Sequence, residues 1–146
     1  METIKKISLM LENSNFERVK INNVQDCVNY LRKFYDTDIE IFESSFILLL
    51  DQSNTTIGYA KISQGGIVGT IVDTKIVCKY AVDSLAQGVI LCHNHPSGNI
   101  TPSNGDKNVT NKVAESLKML DSKLLDHIIL TKDDFFSFEQ NNLIIN

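Results

Sequence analysis

The sequence contains no tryptophan, only two prolines and only three cysteines. Cys27, Cys78 and Cys92 are odd in number and widely spaced, and none belongs to a CxxC pair. This pattern does not indicate a disulfide framework, and it is typical of proteins that stay in a reducing compartment. We therefore expect a cytoplasmic protein whose cysteines are small buried apolar side chains.

Long apolar runs are also missing, since no stretch approaches the roughly 20 residues that a membrane helix needs. The first residues lack the apolar segment and cleavage site of a secretory leader, so no membrane association is expected. The formal net charge is −4 and the lysines are scattered, which argues against nucleic-acid backbone binding as the main activity. The remaining composition, 42% apolar and 22% charged residues in a chain of 146, suits one globular domain.

Strand-like and helix-like patterns are interspersed along the chain, which predicts an α/β fold of mixed α+β type around one sheet. Residues 1–21 are expected to form an N-terminal strand or a loosely attached arm, and residues 22–146 the domain itself. Helical spacing and short apolar or alternating runs define the elements. They are a helix at 24–36 capped by Asn22 or Asn23, strands at 42–50, 56–62 and 67–72, a helix capped by Asp73 or Thr74, a strand at 89–93, a helix carrying Val109, Val113, Leu117 and Leu120, and strands at 124–130 and 135–138.

The most informative stretch is His93-x-His95 at the end of a predicted strand, followed downstream by Asp106. Side chains alternate along a strand, so the two histidines lie on one side, with Cβ atoms about 6–7 Å apart. Two imidazoles at this spacing can bind one zinc ion, and Asp106 can return as a third, oxygen ligand. Three protein ligands leave a fourth position for water, as in catalytic zinc sites. Cys92 and Asn94 are expected to point the other way.

Each part of this pattern also has a purely structural interpretation. A single HxH pair is more often structural than metal-binding. Asp106 stands three residues after Ser103 and before an apolar-periodic helix, which is the pattern of a capping box. The two roles of Asp106 are compatible, because a carboxylate in the first helical turn can still face a metal ion.

The complete pattern is more specific than its parts. The series His93-x-His95-Pro96-x6-Ser103-x2-Asp106 resembles the JAMM motif of JAB/MPN-domain metallopeptidases. The resemblance is closest to the RadC branch and covers roughly residues 22–140. It is also carried by the full string His-Asn-His-Pro-Ser-Gly at 93–98, by Thr101, Pro102 and Thr110, and by Leu49-Leu50-Asp51, Gly69-Thr70, residues 125–129 and Ser137-Phe138.

The resemblance implies a JAB/MPN architecture, similar to that of cytidine deaminases, with Zn²⁺ held by His93, His95 and Asp106. In JAMM enzymes a glutamate from an earlier strand is the general base, and the resemblance assigns this role to Glu43. Glu40 is the weaker candidate because it lies further from the apolar strand. The alternative for Glu43 is a solvated residue at a strand start.

Three further residues near the motif have expected roles. Ser103 Oγ is expected either to donate to the oxyanion of the reaction or to serve as a helix cap alone. His127 lies in an apolar strand and is expected to be a packed, hydrogen-bonded histidine rather than a fourth ligand. Asn94 is expected to shape the loop that follows it.

The implied function is zinc-dependent hydrolysis of a peptide or isopeptide amide bond in a protein or peptide substrate. The alternative is a non-catalytic MPN-like scaffold or a DNA-repair accessory protein of the RadC family. Association with DNA is suggested by the resemblance alone. A zinc deaminase would need HxE and PCxxC motifs, and the sequence contains neither.

Overall fold

The computed structural model describes residues 1–8, 10–65 and 72–145. One five-stranded sheet runs through this part of the chain, with strand order β2-β1-β3-β4-β5. The pair β3 and β4 is parallel, whereas the other three neighbouring pairs are antiparallel, so the sheet is mixed as predicted. The strands are β1 (Ser44–Leu50), β2 (Thr56–Gln64), β3 (Gly88–Asn94), β4 (Lys123–Leu130) and β5 (Phe135–Ser137).

Within the described residues, three α-helices cover the sheet: α1 (Val24–Leu31), α2 (Thr74–Ser84) and α3 (Asn104–Met119). Asn23 caps α1 and Asp73 caps α2, each through a side-chain oxygen that accepts backbone N–H groups of the first turn. Such caps satisfy donors that have no partner within the helix. Both caps agree with the residues predicted from the sequence.

The two faces of the sheet bury different residues, because side chains alternate along each strand. Odd-numbered apolar residues of β1 and β3 pack in one core with α2 and α3. Even-numbered apolar residues of the same strands pack in a second core with α1. The result is a three-layer α/β sandwich. His93 is odd-numbered in β3, so its side chain belongs to the layer that contains α3.

Several boundaries differ from the sequence prediction. The first α-helix ends at Leu31 rather than 36, because the chain tightens into a 3₁₀ turn at Arg32–Phe34. The second helix buries Val77 and Ala81 against the sheet. Residues 1–8 and 10–13 form neither helix nor strand. The strand predicted at 67–72 lies almost entirely outside the described residues.

None of the helices in the described ranges has the length and apolar character required to cross a lipid bilayer.

A second group of 3₁₀ residues, Thr37–Glu40, leads from α1 towards β1. Residues 41–43 then connect it to the strand without regular structure. This short connection carries Glu43 to the carboxyl end of β3, because β1 and β3 are antiparallel and Ser45 pairs with His93.

Candidate metal centre

The two histidines of the HxH pair lie at the carboxyl end of β3. His93 is within the strand and is 3% exposed. His95 is one residue past the strand, and its backbone N–H continues the ladder by donating to Leu130 O at 2.9 Å. Alternation of the extended chain therefore places both rings on the α3 side of the sheet. Their Nε2 atoms are 3.0 Å apart.

Asp106 meets these rings from the first turn of α3. Its Oδ1 lies 3.3 Å from His93 Nε2, and its Oδ2 lies 3.3 Å from His95 Nε2. Although burial raises the pKa of this carboxyl, the contacts with both imidazoles outweigh burial and hold it well below its usual range. The carboxylate of Asp106 is therefore ionised at neutral pH and available as a ligand.

Ser103 and Asp106 form the capping box that the sequence predicts. Asp106 N donates to Ser103 Oγ at 3.0 Å, and Ser103 N donates to Asp106 Oδ2 at 2.8 Å. The N-cap interpretation of Ser103 is thus confirmed. Since a hydroxyl that accepts one bond can still donate its own proton, this role is compatible with a second one towards a substrate.

Glu43 approaches the same point from the start of β1. Its Oε1 lies 3.9 Å from His93 Nε2, and the ligand atoms of Glu43, His93 and His95 all lie within 4.8 Å of one another. Glu40 lies elsewhere, with Oε1 3.7 Å from Lys132 Nζ on the surface. The structure therefore brings Glu43, and not Glu40, together with the two histidines and Asp106.

A buried chain of hydrogen bonds orients the ring of His93. Thr110 Oγ1 donates to Asp106 O at 2.6 Å, so it accepts the proton of His127 Nδ1, 2.6 Å away. His127 Nε2 is then an acceptor, and it receives the proton of His93 Nδ1 at 2.8 Å. Burial lowers the pKa of His127 well below its ordinary value, which keeps this ring neutral. His93 Nδ1 therefore carries the proton of this bond, and His93 Nε2 faces His95 and Asp106.

His95 reaches the same state by a separate contact. Its Nδ1 is 2.7 Å from Asn99 O, a carbonyl that can only accept, so Nδ1 carries the proton. Its Nε2 faces His93 Nε2 at 3.0 Å, within hydrogen-bond distance. The contact with Asp106 raises the pKa of His95. Two imidazole nitrogens and the carboxyl groups of Glu43 and Asp106 thus converge on one position.

The geometry of this donor set suits a divalent metal ion. Ligands at about 2.0–2.2 Å from a tetrahedral zinc are separated by roughly 3.3–3.5 Å. The separations of 3.0 and 3.3 Å among His93, His95 and Asp106 are close to this value. The Nδ1–H groups of the two rings donate hydrogen bonds to His127 Nε2 and to Asn99 O. Histidines that bind a metal commonly donate their other ring N–H in this way. These residues could therefore hold a metal.

A cleft of about 500 Å³ lies between the start of α2 and the first half of α3, and Glu43, His93, His95 and Asp106 are not among its lining residues. It begins beside Gly105, the neighbour of Asp106. The cleft is lined by both apolar and polar side chains, one of which is the positively charged Lys112. The lining residues are Val72, Asp73, Thr74, Gly105, Asn108, Val109 and Lys112.

Sequence reasoning missed two contributors to this site. Thr110 appeared only as part of the family resemblance, although its place one helical turn after Asp106 puts it on the same helix face. The side chain of Asn94 points to the α1 layer, as expected, but it bonds to the segment before β1 rather than to its own loop. His127 was predicted as a packed, hydrogen-bonded residue, and the structure confirms this.

Comparison with known proteins identifies the family. A model of the "RadC-like JAB domain" matches residues 21–143. A "UPF0758 protein" of Flavobacterium johnsoniae is 47% identical over 96 residues, which are 66% of this chain and 42% of that protein. Another, from Coprothermobacter proteolyticus, is 35% identical over 136 residues, covering 92% of this chain and 58% of its own length.

A third relative, from Fusobacterium nucleatum, is 37% identical over 128 residues, which are 88% of this chain and 54% of that protein. This chain thus spans about half the length of the curated relatives that it matches. The match to the family model extends from α1 to the region after β5 and includes every residue of the candidate metal centre. The chain therefore belongs to the RadC-like JAB domain family.

Proposed function

We propose that this domain is a zinc-dependent hydrolase of JAMM type that cleaves a peptide or isopeptide amide bond. The observation that carries the proposal is the convergence of His93 Nε2, His95 Nε2 and the Asp106 carboxylate within 3.3 Å, with Glu43 beside them. Three ligands and an adjacent carboxylate are the parts that a hydrolytic zinc site needs.

His93, His95 and Asp106 would hold the zinc ion, which would lower the pKa of a bound water towards about 7 and polarise the substrate carbonyl. Glu43 accepts a proton from the attacking water and delivers it to the leaving amine as the C–N bond breaks. General bases of this kind contribute roughly 10²–10⁴ in rate. Ser103 Oγ, held at the helix start, donates its proton to the oxyanion of the tetrahedral intermediate.

The substrate is proposed to be a protein or peptide. Placement in the cytoplasm is part of the same proposal, supported by three free cysteines. The side chains of Glu43, His95 and Asp106 are 16–17% exposed, so the centre is open to a ligand from one side.

The first test is metal analysis of protein purified without a histidine tag. We expect about one zinc per chain in the wild type, and we expect the metal to be lost from His95→Ala, which keeps only two protein ligands. Glu43→Gln should retain the metal, because the amide preserves the shape of a side chain that is not a ligand. Release of zinc from Glu43→Gln would instead make this residue a ligand and contradict the assigned roles.

The second test is a cleavage screen with peptide and isopeptide substrates. Hydrolysis by the zinc-loaded wild type should exceed that of Glu43→Gln by at least about a hundredfold, the low end for a general base. Zinc binding without cleavage of any substrate in the screen would favour the alternative, a scaffold or repair accessory protein that keeps the metal for stability.

A further inference from the structure

Asn94 lies between His93 and His95 in the sequence, but its side chain is on the opposite face of the sheet from theirs. It is 0% exposed and makes three hydrogen bonds. Its Oδ1 accepts from Ser44 N at 2.7 Å, and its Nδ2 donates to Ile39 O at 2.7 Å and to Phe42 O at 2.8 Å. These partners are separated from Asn94 by 50 residues or more along the chain.

The three bonds surround Glu43. Phe42 O and Ser44 N belong to the residues immediately before and after it, and Ile39 O lies in the preceding 3₁₀ turn. We infer that Asn94 is a positioning residue: it ties the segment that carries Glu43 to the strand that carries the metal ligands. The inference rests on the proposed function, since it assigns Asn94 a role through the proposed general base.

The need for such a residue follows from the local backbone. Residues 41–43 form no regular structure, and Ile41 and Phe42 are exposed, so neither a strand ladder nor burial fixes their backbone. An amide side chain can accept one bond and donate two at once. A carboxylate would place a negative oxygen against two carbonyls, and an aliphatic residue would leave all three backbone groups without these bonds.

Two further contacts hold the same segment. Tyr35 Oη donates to Ser44 O at 2.7 Å, and Gly65 N donates to Glu43 O at 2.9 Å. The backbone around Glu43 is therefore bonded at Ile39, Phe42, Glu43 and Ser44, and three of these bonds come from the side chain of Asn94 on β3. A displacement of about 1 Å at a reacting group can cost roughly 10²-fold in rate.

The test measures the position of Glu43 without a substrate. The intact chain is loaded with Co²⁺, and acetohydroxamate is titrated in while the visible spectrum is recorded. A hydroxamate binds the metal and can donate a proton to an adjacent carboxylate. Glu43→Gln should weaken its binding roughly tenfold or more, the effect of losing a bond to a charged group.

Asn94→Ala should weaken acetohydroxamate binding by a similar factor while its Co²⁺ affinity stays within about threefold of wild type. In the double variant Asn94→Ala/Glu43→Gln, the loss should be no greater than in Glu43→Gln alone, because Asn94 acts through Glu43. The matched control is Asn111→Ala, an exposed asparagine on α3, which should leave both affinities unchanged.

The outcomes separate the two ideas. Failure of the wild type to bind Co²⁺, or equal hydroxamate binding in wild type and Glu43→Gln, overturns the proposed function and this inference with it. Weaker binding in Glu43→Gln but not in Asn94→Ala overturns the inference alone. So does a further loss in the double variant. If Asn94→Ala does not fold, Tyr35→Phe removes one bond from the same segment and must show the same dependence on Glu43.

Discussion

His93 Nδ1 lies 2.8 Å from His127 Nε2, so a ligand candidate on β3 is oriented by a neutral, fully buried histidine on β4. The parallel pairing of these strands sets the two rings side by side, with centroids 4.8 Å apart. Phe138 stacks on the ring of His127, with centroids 4.6 Å apart and ring planes 14° apart, and this packing restricts rotation of the imidazole. The orientation of one proposed ligand thus depends on the core.

Replacement of His127 should weaken metal binding without removing a ligand. His127→Leu leaves the Nδ1 proton of His93 without its acceptor, and loss of such an outer partner typically costs about 10–100-fold in metal affinity. His127→Gln should lose less, because its Oε1 can still accept that proton. Competition with a chromophoric chelator measures both affinities. Equal affinities for wild type and His127→Leu would contradict the orienting role.

His127 also predicts how stability depends on pH in the metal-free protein. Burial lowers the pKa of the folded-state ring well below that of the unfolded chain. The unfolded chain binds a proton below about pH 6.5 and the folded one does not. The free energy of unfolding therefore falls as the pH is lowered through this value, by up to about 1.4 kcal/mol per pH unit.

Comparison with His127→Gln isolates this contribution. The raised pKa of His95 has the opposite sign, because its stabilisation is lost as the pH rises, but it is common to both proteins. Denaturant unfolding between pH 5 and about 7 should give the wild type the steeper loss towards acid. Parallel curves for the two proteins would show that His127 takes up its proton in the folded state.

The two roles of Asp106 can be separated by substitution. In Asp106→Asn the side-chain oxygen can still accept from Ser103 N, so the unfolding free energy should change by no more than about 1 kcal/mol. Metal affinity should fall by more than the roughly 100-fold expected for an outer partner. Ser103→Ala should show the converse, with a loss of about 1 kcal/mol in stability and little loss of metal. Calorimetry and chelator competition together decide between these outcomes.

The three cysteines should differ in reactivity. Burial raises the pKa of Cys92 to about 12 and that of Cys27 well above its ordinary value, whereas Cys78 on α2 is partly exposed. Because the thiolate is the nucleophile, iodoacetamide at pH 8 should alkylate Cys78 first in the native protein. Mass spectrometry after guanidinium unfolding should find all three labelled. Native labelling of Cys92 as fast as Cys78 would contradict its burial.

Local patterns predicted most of the element types because alternation and helical spacing are properties of short segments. Alternation along β3 predicted that the side chain of His93 lies on the opposite face of the sheet from those of Cys92 and Asn94. The spacing of Ser103 and Asp106 predicted the capping box. These signals reach only a few residues along the chain. They placed the HxH pair at a strand end and Asp106 in a first helical turn, as the structure has them.

Contacts between distant segments were harder to predict. Asn94 bonds to residues around Glu43, and His127 connects His93 to Thr110 only because β3 pairs with β4 and α3 packs above them. No spacing rule relates these positions. The helix boundary at Leu31 was also missed, since apolar periodicity continues into the 3₁₀ turn and does not distinguish three from 3.6 residues per turn.

The shared carboxylate of Asp106 has a consequence for how fast a metal would leave. Its Oδ2 accepts from Ser103 N at 2.8 Å and lies 3.3 Å from His95 Nε2, so the first turn of α3 and the metal position use the same oxygen. Helix ends fray readily, and fraying at Ser103 would withdraw this oxygen from the histidines. An ion held at this oxygen would therefore leave faster when the helix end opens, and it would in turn slow that opening.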